Sequence, residues 1–183
     1  MRTNREANAD IASELAKIGI VAIESEDADG FLDGIAIRRG ELHYQPECRP
    51  SNLLHEAGHL ACIPPMFRQH ADGDLDELAV TMCRYAAERF ESGGNPDDPL
   101  IKAILQCSDS EATAWAWAFG VHVGLEPDRI IDSEDYQGEG DEVRLQVSNG
   151  MHFGVNGLRA AGFMRSIKQY PVLDKWTQDA GEE

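Results

Sequence analysis

The fold turns on the stretch Leu53-Leu54-His55-Glu56-Ala57-Gly58-His59-Leu60-Ala61. It carries His-Glu-x-x-His inside an apolar run. On a helix, positions i and i+4 share one face, a turn apart. His55 and His59 then aim two ring nitrogens at one point, the spacing with which a helix offers two ligands to zinc. Glu56 follows the first histidine, within reach of a water on such an ion. A string this short also arises by chance, so its surroundings matter. Pro50-Ser51 announces the helix, with Ser51 as its N-cap, and Pro64-Pro65 stops it near Cys62 or Ile63. The helix is therefore about three turns long.

A catalytic zinc site needs a third protein ligand and an open position. The metzincin extension is absent: Cys62 stands where that pattern has Gly, and Pro65 where it has His. The ligand must come from elsewhere, and Glu111 is the first choice. From Glu111 to Val123 the chain is apolar on nearly every side, as in a buried helix, and Glu111 is its single carboxylate. A buried carboxylate must be paired or bound to metal. A second reading competes: Ser108-x-x-Glu111 also has the spacing of a capping box. Asp109 is the reserve ligand if Glu111 caps. His122 lies about 16 Å further along the same helix. It is expected to be a core histidine.

Outward from these two helices, residues 5–18 have an apolar stripe at helical spacing in Ala7, Ile11, Leu15 and Ile18. Residues 20–23, 31–38 and 41–45 read as strands, the last two forming a hairpin across Arg39-Gly40. The third strand is a candidate edge that an extended peptide would join. Helices are expected over residues 74–90, 99–107, 109–123 and 155–167. A short strand is expected over 142–147, where Val143, Leu145 and Val147 alternate with polar residues. Residues 178–183 are expected to fray. The chain of 183 residues fits a single domain over 1–183 of α+β class, mainly helical, with a small N-terminal β-sheet.

Composition narrows the function. The formal charge of −17, from 33 acidic and 16 basic residues, repels phosphate backbones and anionic membranes, so nucleic acid is not expected as a direct ligand. No run approaches a membrane span, and no apolar segment follows the N-terminus as in a secretory signal, so the expected location is the cytoplasm. Cys48, Cys62, Cys83 and Cys107 form no C-x-x-C pair and read as reduced, mostly buried thiols.

His55-Glu56-Ala57-Gly58-His59, followed by Glu111-Ala112-Thr113-Ala114-Trp115-Ala116, resembles the zincin metallopeptidases of the ImmA/IrrE type. Those pair His-Glu-x-x-His with a downstream Glu-Ala-Asn-x-Phe-Ala helix; here Thr113 replaces the Asn. The resemblance covers roughly residues 32–62 and 108–118. It implies a zincin-like domain in which His55, His59 and Glu111 hold Zn2+ and Glu56 is the catalytic base. The expected activity is zinc-dependent hydrolysis of a peptide or protein substrate. A regulatory protein that keeps the frame without proteolysis is the alternative. So is a structural zinc protein closed by His43, His70 or His152. Oxyanion donors come from His43, Tyr44, Tyr136 and His152, with Tyr44 and His152 joining Glu56 in the catalytic set. His43 and Tyr44 point to opposite faces of a strand, so only one of them can serve.

Overall fold

A computed structural model describes residues 2–181. The first helix, α1 (Asn4–Lys17), opens with a capping box between Thr3 and Glu6, and buries Ala7, Ile11 and Leu15 at the expected helical spacing. Three short strands follow: β1 (Ala22–Glu24), β2 (Ile35–Arg38) and β3 (Glu41–Tyr44). β2 and β3 form the expected antiparallel hairpin across Arg39-Gly40. β3 is not an edge, however. The sheet order is β1-β3-β2, with β1 parallel to β3, so both sides of β3 are already paired. The strand at 20–23 needed a partner for its own backbone groups, and the open side of the hairpin supplied it. Addition of a peptide to β3 is thereby excluded.

The motif lies on α2 (Pro50–Cys62), whose buried residues include Leu53, Leu54, Ala57, Leu60 and Ala61. Pro50 opens the helix, and Ser51 falls inside its first turn rather than at the N-cap, which is Arg49. α3 (Pro65–Arg68) turns the chain toward α4 (Asp76–Glu91), a mostly exposed helix that buries Leu78, Met82 and Ala86. α5 (Pro99–Leu105) leads to α6 (Asp109–His122), buried from Glu111 to Gly120 as its all-round apolar sequence requires. His122 is exposed rather than in the core, its ring 4.9 Å from that of Trp176. It sits at the last turn of α6, where the helix has left the interior.

The remaining elements cover α6. They are α7 (Pro127–Ile130), the single turn α8 (Asp135–Gly138), α9 (Gly140–Ser148), α10 (Phe153–Ala160) and a 3-10 turn at Ile167–Gln169. α9 stands where a strand was expected. Val143 and Val147 are four residues apart and face inward together, whereas Leu145 is 60% exposed. The inward spacing is helical, and Asp141 and Glu142 favour a helix start. The C-terminal segment also differs. Gln178 is 1% exposed, and its main-chain N–H donates to Ala61 O at 2.8 Å. The expected fraying therefore does not apply at Gln178. All four cysteines are free, with Cys48 and Cys62 buried, Cys107 half-buried and Cys83 exposed. Among the described residues, no helix is long and apolar enough to cross a membrane.

Candidate metal centre

Glycine at position 58 lets the two motif-bearing helices touch. A Cβ there would lie 2.5 Å from Ala112 O and 2.9 Å from Ala112 Cα. Only a residue without that carbon allows α6 to pass so close to α2. The approach brings Asp109, the first residue of α6, over the two histidines.

His55 Nε2 and His59 Nε2 are 3.2 Å apart. Asp109 Oδ1 is 3.1 Å from His59 Nε2 and 3.7 Å from His55 Nε2. The three atoms form a triangle able to hold a metal ion. Donors about 2.0–2.1 Å from a tetrahedral ion stand roughly 3.3–3.4 Å apart, and these edges bracket that value. The histidine side chains are 19% and 13% exposed, whereas that of Asp109 is 84% exposed, so the triangle opens to solvent on the carboxylate side. His55 first, then His59, hold the Asp109 carboxyl far below its usual range, against a smaller opposing effect of burial. Asp109 is therefore ionised at any ordinary pH.

Glu111, expected as the third ligand, is not in this group. Its Oε2 accepts from Ser108 N–H at 3.0 Å and from Ser108 Oγ at 2.6 Å, completing a capping box. Burial had favoured metal binding for this carboxylate. The cap meets the same demand, because Ser108 supplies two donors to a group that is 6% exposed. Gly157 of α10 presses on the carboxylate from the other side: a Cβ there would lie 1.8 Å from Glu111 Oε1. Asp109, the reserve ligand, is the carboxylate that the structure places in the triangle. At the first position of the helix, its side chain is not used by the cap and is free to turn outward.

Glu56 is 8% exposed, and among the described residues no hydrogen bond or ion pair engages its carboxylate. It lines a cleft of about 350 Å³ beside His59. A second cleft, of about 450 Å³, lies on the His55 side and is lined by Arg49, Ile130, Ile131 and Tyr136 among others. Asp109 and the 92%-exposed Phe31 line both clefts, so the metal triangle sits where they meet.

Of the four expected oxyanion donors, the structure brings Tyr136 to the site. Its ring centroid is 6.4 Å from that of His55, and its hydroxyl is 2.7 Å from Thr113 Oγ1. Burial is the main cause that raises the hydroxyl pKa to about 12, so it keeps its proton and can donate. Tyr136 and Gln137 both have left-handed backbones, with φ of 56° and 62°. Such conformations are costly for these residue types and are held by surrounding contacts. Here Asp135 accepts from Asp132 N–H at 2.8 Å and pairs with Arg49 at 3.1 Å.

The other expected donors lie elsewhere. Tyr44 is 5% exposed in the core beneath the sheet, and burial is the first cause raising its hydroxyl pKa. His43 alternates to the opposite face of β3, and neither residue lines a cleft at the centre. His152 caps α10, its Nδ1 accepting from Gly154 N–H at 3.3 Å. Burial lowers its pKa, opposed by the charge of Glu111. The two residues do lie on opposite faces of the strand, but the face that carries Tyr44 packs into the core. Among the described residues, no fourth His, Cys, Asp or Glu joins the triangle; His43, His70 and His152 stay apart. No family model, curated protein or solved structure matches the chain.

Proposed function

We propose that this chain is a zinc-dependent peptidase with a zincin-like frame, its metal held by His55, His59 and Asp109. The observation that carries the reading is the donor triangle with the unpartnered, buried Glu56 carboxylate next to it. Two imidazoles and a carboxylate with an open side suit a catalytic zinc site, whereas a structural site is closed by four protein ligands. A bound zinc ion supplies a water of lowered pKa and polarises a carbonyl.

The chain's own residues supply the rest. Glu56 accepts the proton of the attacking water and passes it to the leaving amine. Its lack of any other partner leaves the carboxylate free for that transfer. Tyr136 keeps its proton and donates a hydrogen bond to the developing oxyanion. Thr113, four residues after Asp109 on α6, fixes the position of that hydroxyl. The two clefts meeting at the triangle suit an extended peptide passing across the centre. The partial resemblance to ImmA/IrrE-type peptidases supports the same chemistry, with Asp109 in the role that the resemblance gives to Glu111.

Metal analysis after reconstitution should give about one zinc per chain. The zinc-loaded protein should cleave members of a peptide library. Glu56→Gln should keep the metal and lose at least about 100-fold in rate. A protein that holds no zinc after reconstitution, or an active Glu56→Gln variant, overturns the proposal.

A further inference from the structure

We infer that the cleft on the Glu56 side receives the residue that follows the scissile bond, and that it selects an apolar side chain with a basic residue close behind it. The inference rests on the peptidase reading and adds the direction and class of the substrate. A base that returns its proton to the leaving amine must lie within hydrogen-bonding reach of that amine. Glu56 lines only the smaller cleft, beside His59. Tyr136 lines only the larger one, beside His55. The amine-bearing half of the peptide therefore lies along the Glu56 cleft, and the other half along the Tyr136 cleft.

The lining of the Glu56 cleft defines what fits. Ile63, Leu78 and Met82 are 2%, 8% and 3% exposed and form an apolar floor. A pocket of about 350 Å³ with such a floor favours a bulky apolar group. Asp74 and Asp76 stand exposed at its rim. Among the described residues neither is in an ion pair, and no Lys or Arg lines this cleft. The rim therefore attracts lysine or arginine and repels acidic side chains. The larger cleft differs in carrying a cation: its Arg49, which pairs with Asp132 and Asp135, stands in the same lining as the exposed Glu134.

The test uses the full zinc-loaded chain and a mixed peptide library, with new amino termini read by mass spectrometry. New amino termini should begin with Leu, Ile, Met or Phe, enriched roughly tenfold over acidic residues, with Lys or Arg in the next two positions. The surface variant Asp74→Lys/Asp76→Lys should abolish the basic preference while zinc content stays unchanged. A second arm measures binding by fluorescence anisotropy, using labelled peptides that begin Leu-Arg, Leu-Glu or Asp-Arg. The Leu-Arg peptide should bind roughly tenfold tighter than the other two, and the advantage over Leu-Glu should vanish in the double variant. Cleavage whose new amino termini show no apolar enrichment overturns the inference and leaves the peptidase reading standing. Selective binding without cleavage of any peptide removes the peptidase reading and upholds the cleft's specificity. Loss of both selectivities removes the inference outright.

Discussion

At the residue scale, the centre depends on how Ser108, Asp109 and Glu111 divide their roles at the start of one helix. Ser108 and Glu111 satisfy each other in the capping box, and Asp109 is left over for the histidines. The two carboxylates should therefore fail in different ways. Asp109→Ala should weaken zinc binding more than the 10–100-fold typical for loss of an outer-shell partner, with little change in the stability of the metal-free protein. Glu111→Ala should keep zinc affinity within a few-fold and destabilise the metal-free protein by about 1 kcal/mol. Chelator competition and urea unfolding separate the two, and the reverse pattern would return the ligand role to Glu111. Tyr136→Phe tests the second assignment here. Loss of an oxyanion donor lowers kcat by roughly 100-fold while KM changes little. If KM alone rises, Tyr136 binds substrate and does not stabilise the transition state. That His55 and His59 share one face was legible in the sequence, because their spacing is a property of one helix. The choice between Asp109 and Glu111 was not, since burial demands a partner without saying which one. Tyr136 was a candidate among four, and its place beside His55 follows from a left-handed turn that no sequence spacing reports.

At the scale of elements, the centre is the product of the crossing between α2 and α6. Gly58 sits in the motif for a packing reason, as a Cβ there would meet the backbone of Ala112. Gly58→Ala sets two effects against each other. Helix propensity gains about 1 kcal/mol, while a clash with main-chain atoms forces the helices apart. The clash should dominate, because neither contact is with a flexible side chain, and the net loss should be about 1–3 kcal/mol in the metal-free protein. Asp109 lies three residues before Ala112, so the same shift should carry it away from His59 and weaken zinc binding. Urea unfolding and chelator titration of the one variant read both effects; unchanged values in both would mean that α6 does not depend on this contact. The longer helices were legible because α1 repeats its apolar residues at helical spacing and α6 is apolar all round over more than three turns. The short elements were not: over six residues, Val143, Leu145 and Val147 fit alternation as well as a helix, and only burial of Val147 with Leu145 exposed decides between them. Strand order was likewise beyond the sequence, because a parallel partner for β3 arrives from across the hairpin.

At the scale of the whole molecule, the C-terminal segment ties the motif helix to the far side of the fold. Trp115 Nε1 donates to Trp176 O at 2.8 Å, and the Trp176 ring packs edge-on to Phe119 at 5.2 Å. Two residues later, Gln178 N–H reaches Ala61 at the end of α2, while its side-chain Nε2 donates to Ala161 O at 3.0 Å beyond α10. Gln178 Oε1 accepts from the N–H groups of Asp179 and Ala180, each at 3.0 Å. One buried amide thus donates across the fold to Ala161 while accepting from its own neighbours Lys175, Asp179 and Ala180. A polar, acidic ending reads as a frayed tail because composition reports solubility and not tertiary partners. The two views predict different results for Gln178→Ala. A frayed residue gives no change beyond about 0.5 kcal/mol, as for ordinary surface substitutions. The buried network leaves Ala161 O without its donor, and loss of a buried partner costs about 1–3 kcal/mol. Urea unfolding of the metal-free protein should show that larger loss with an unchanged slope, since the compactness of the native state is not at stake. Because Ala61 lies two residues after His59, zinc affinity measured on the same variant should stay nearly constant: its main-chain bond from Gln178 survives the substitution. Destabilisation without loss of metal would place Gln178 in the frame that supports α2, apart from the chemistry that α2 presents.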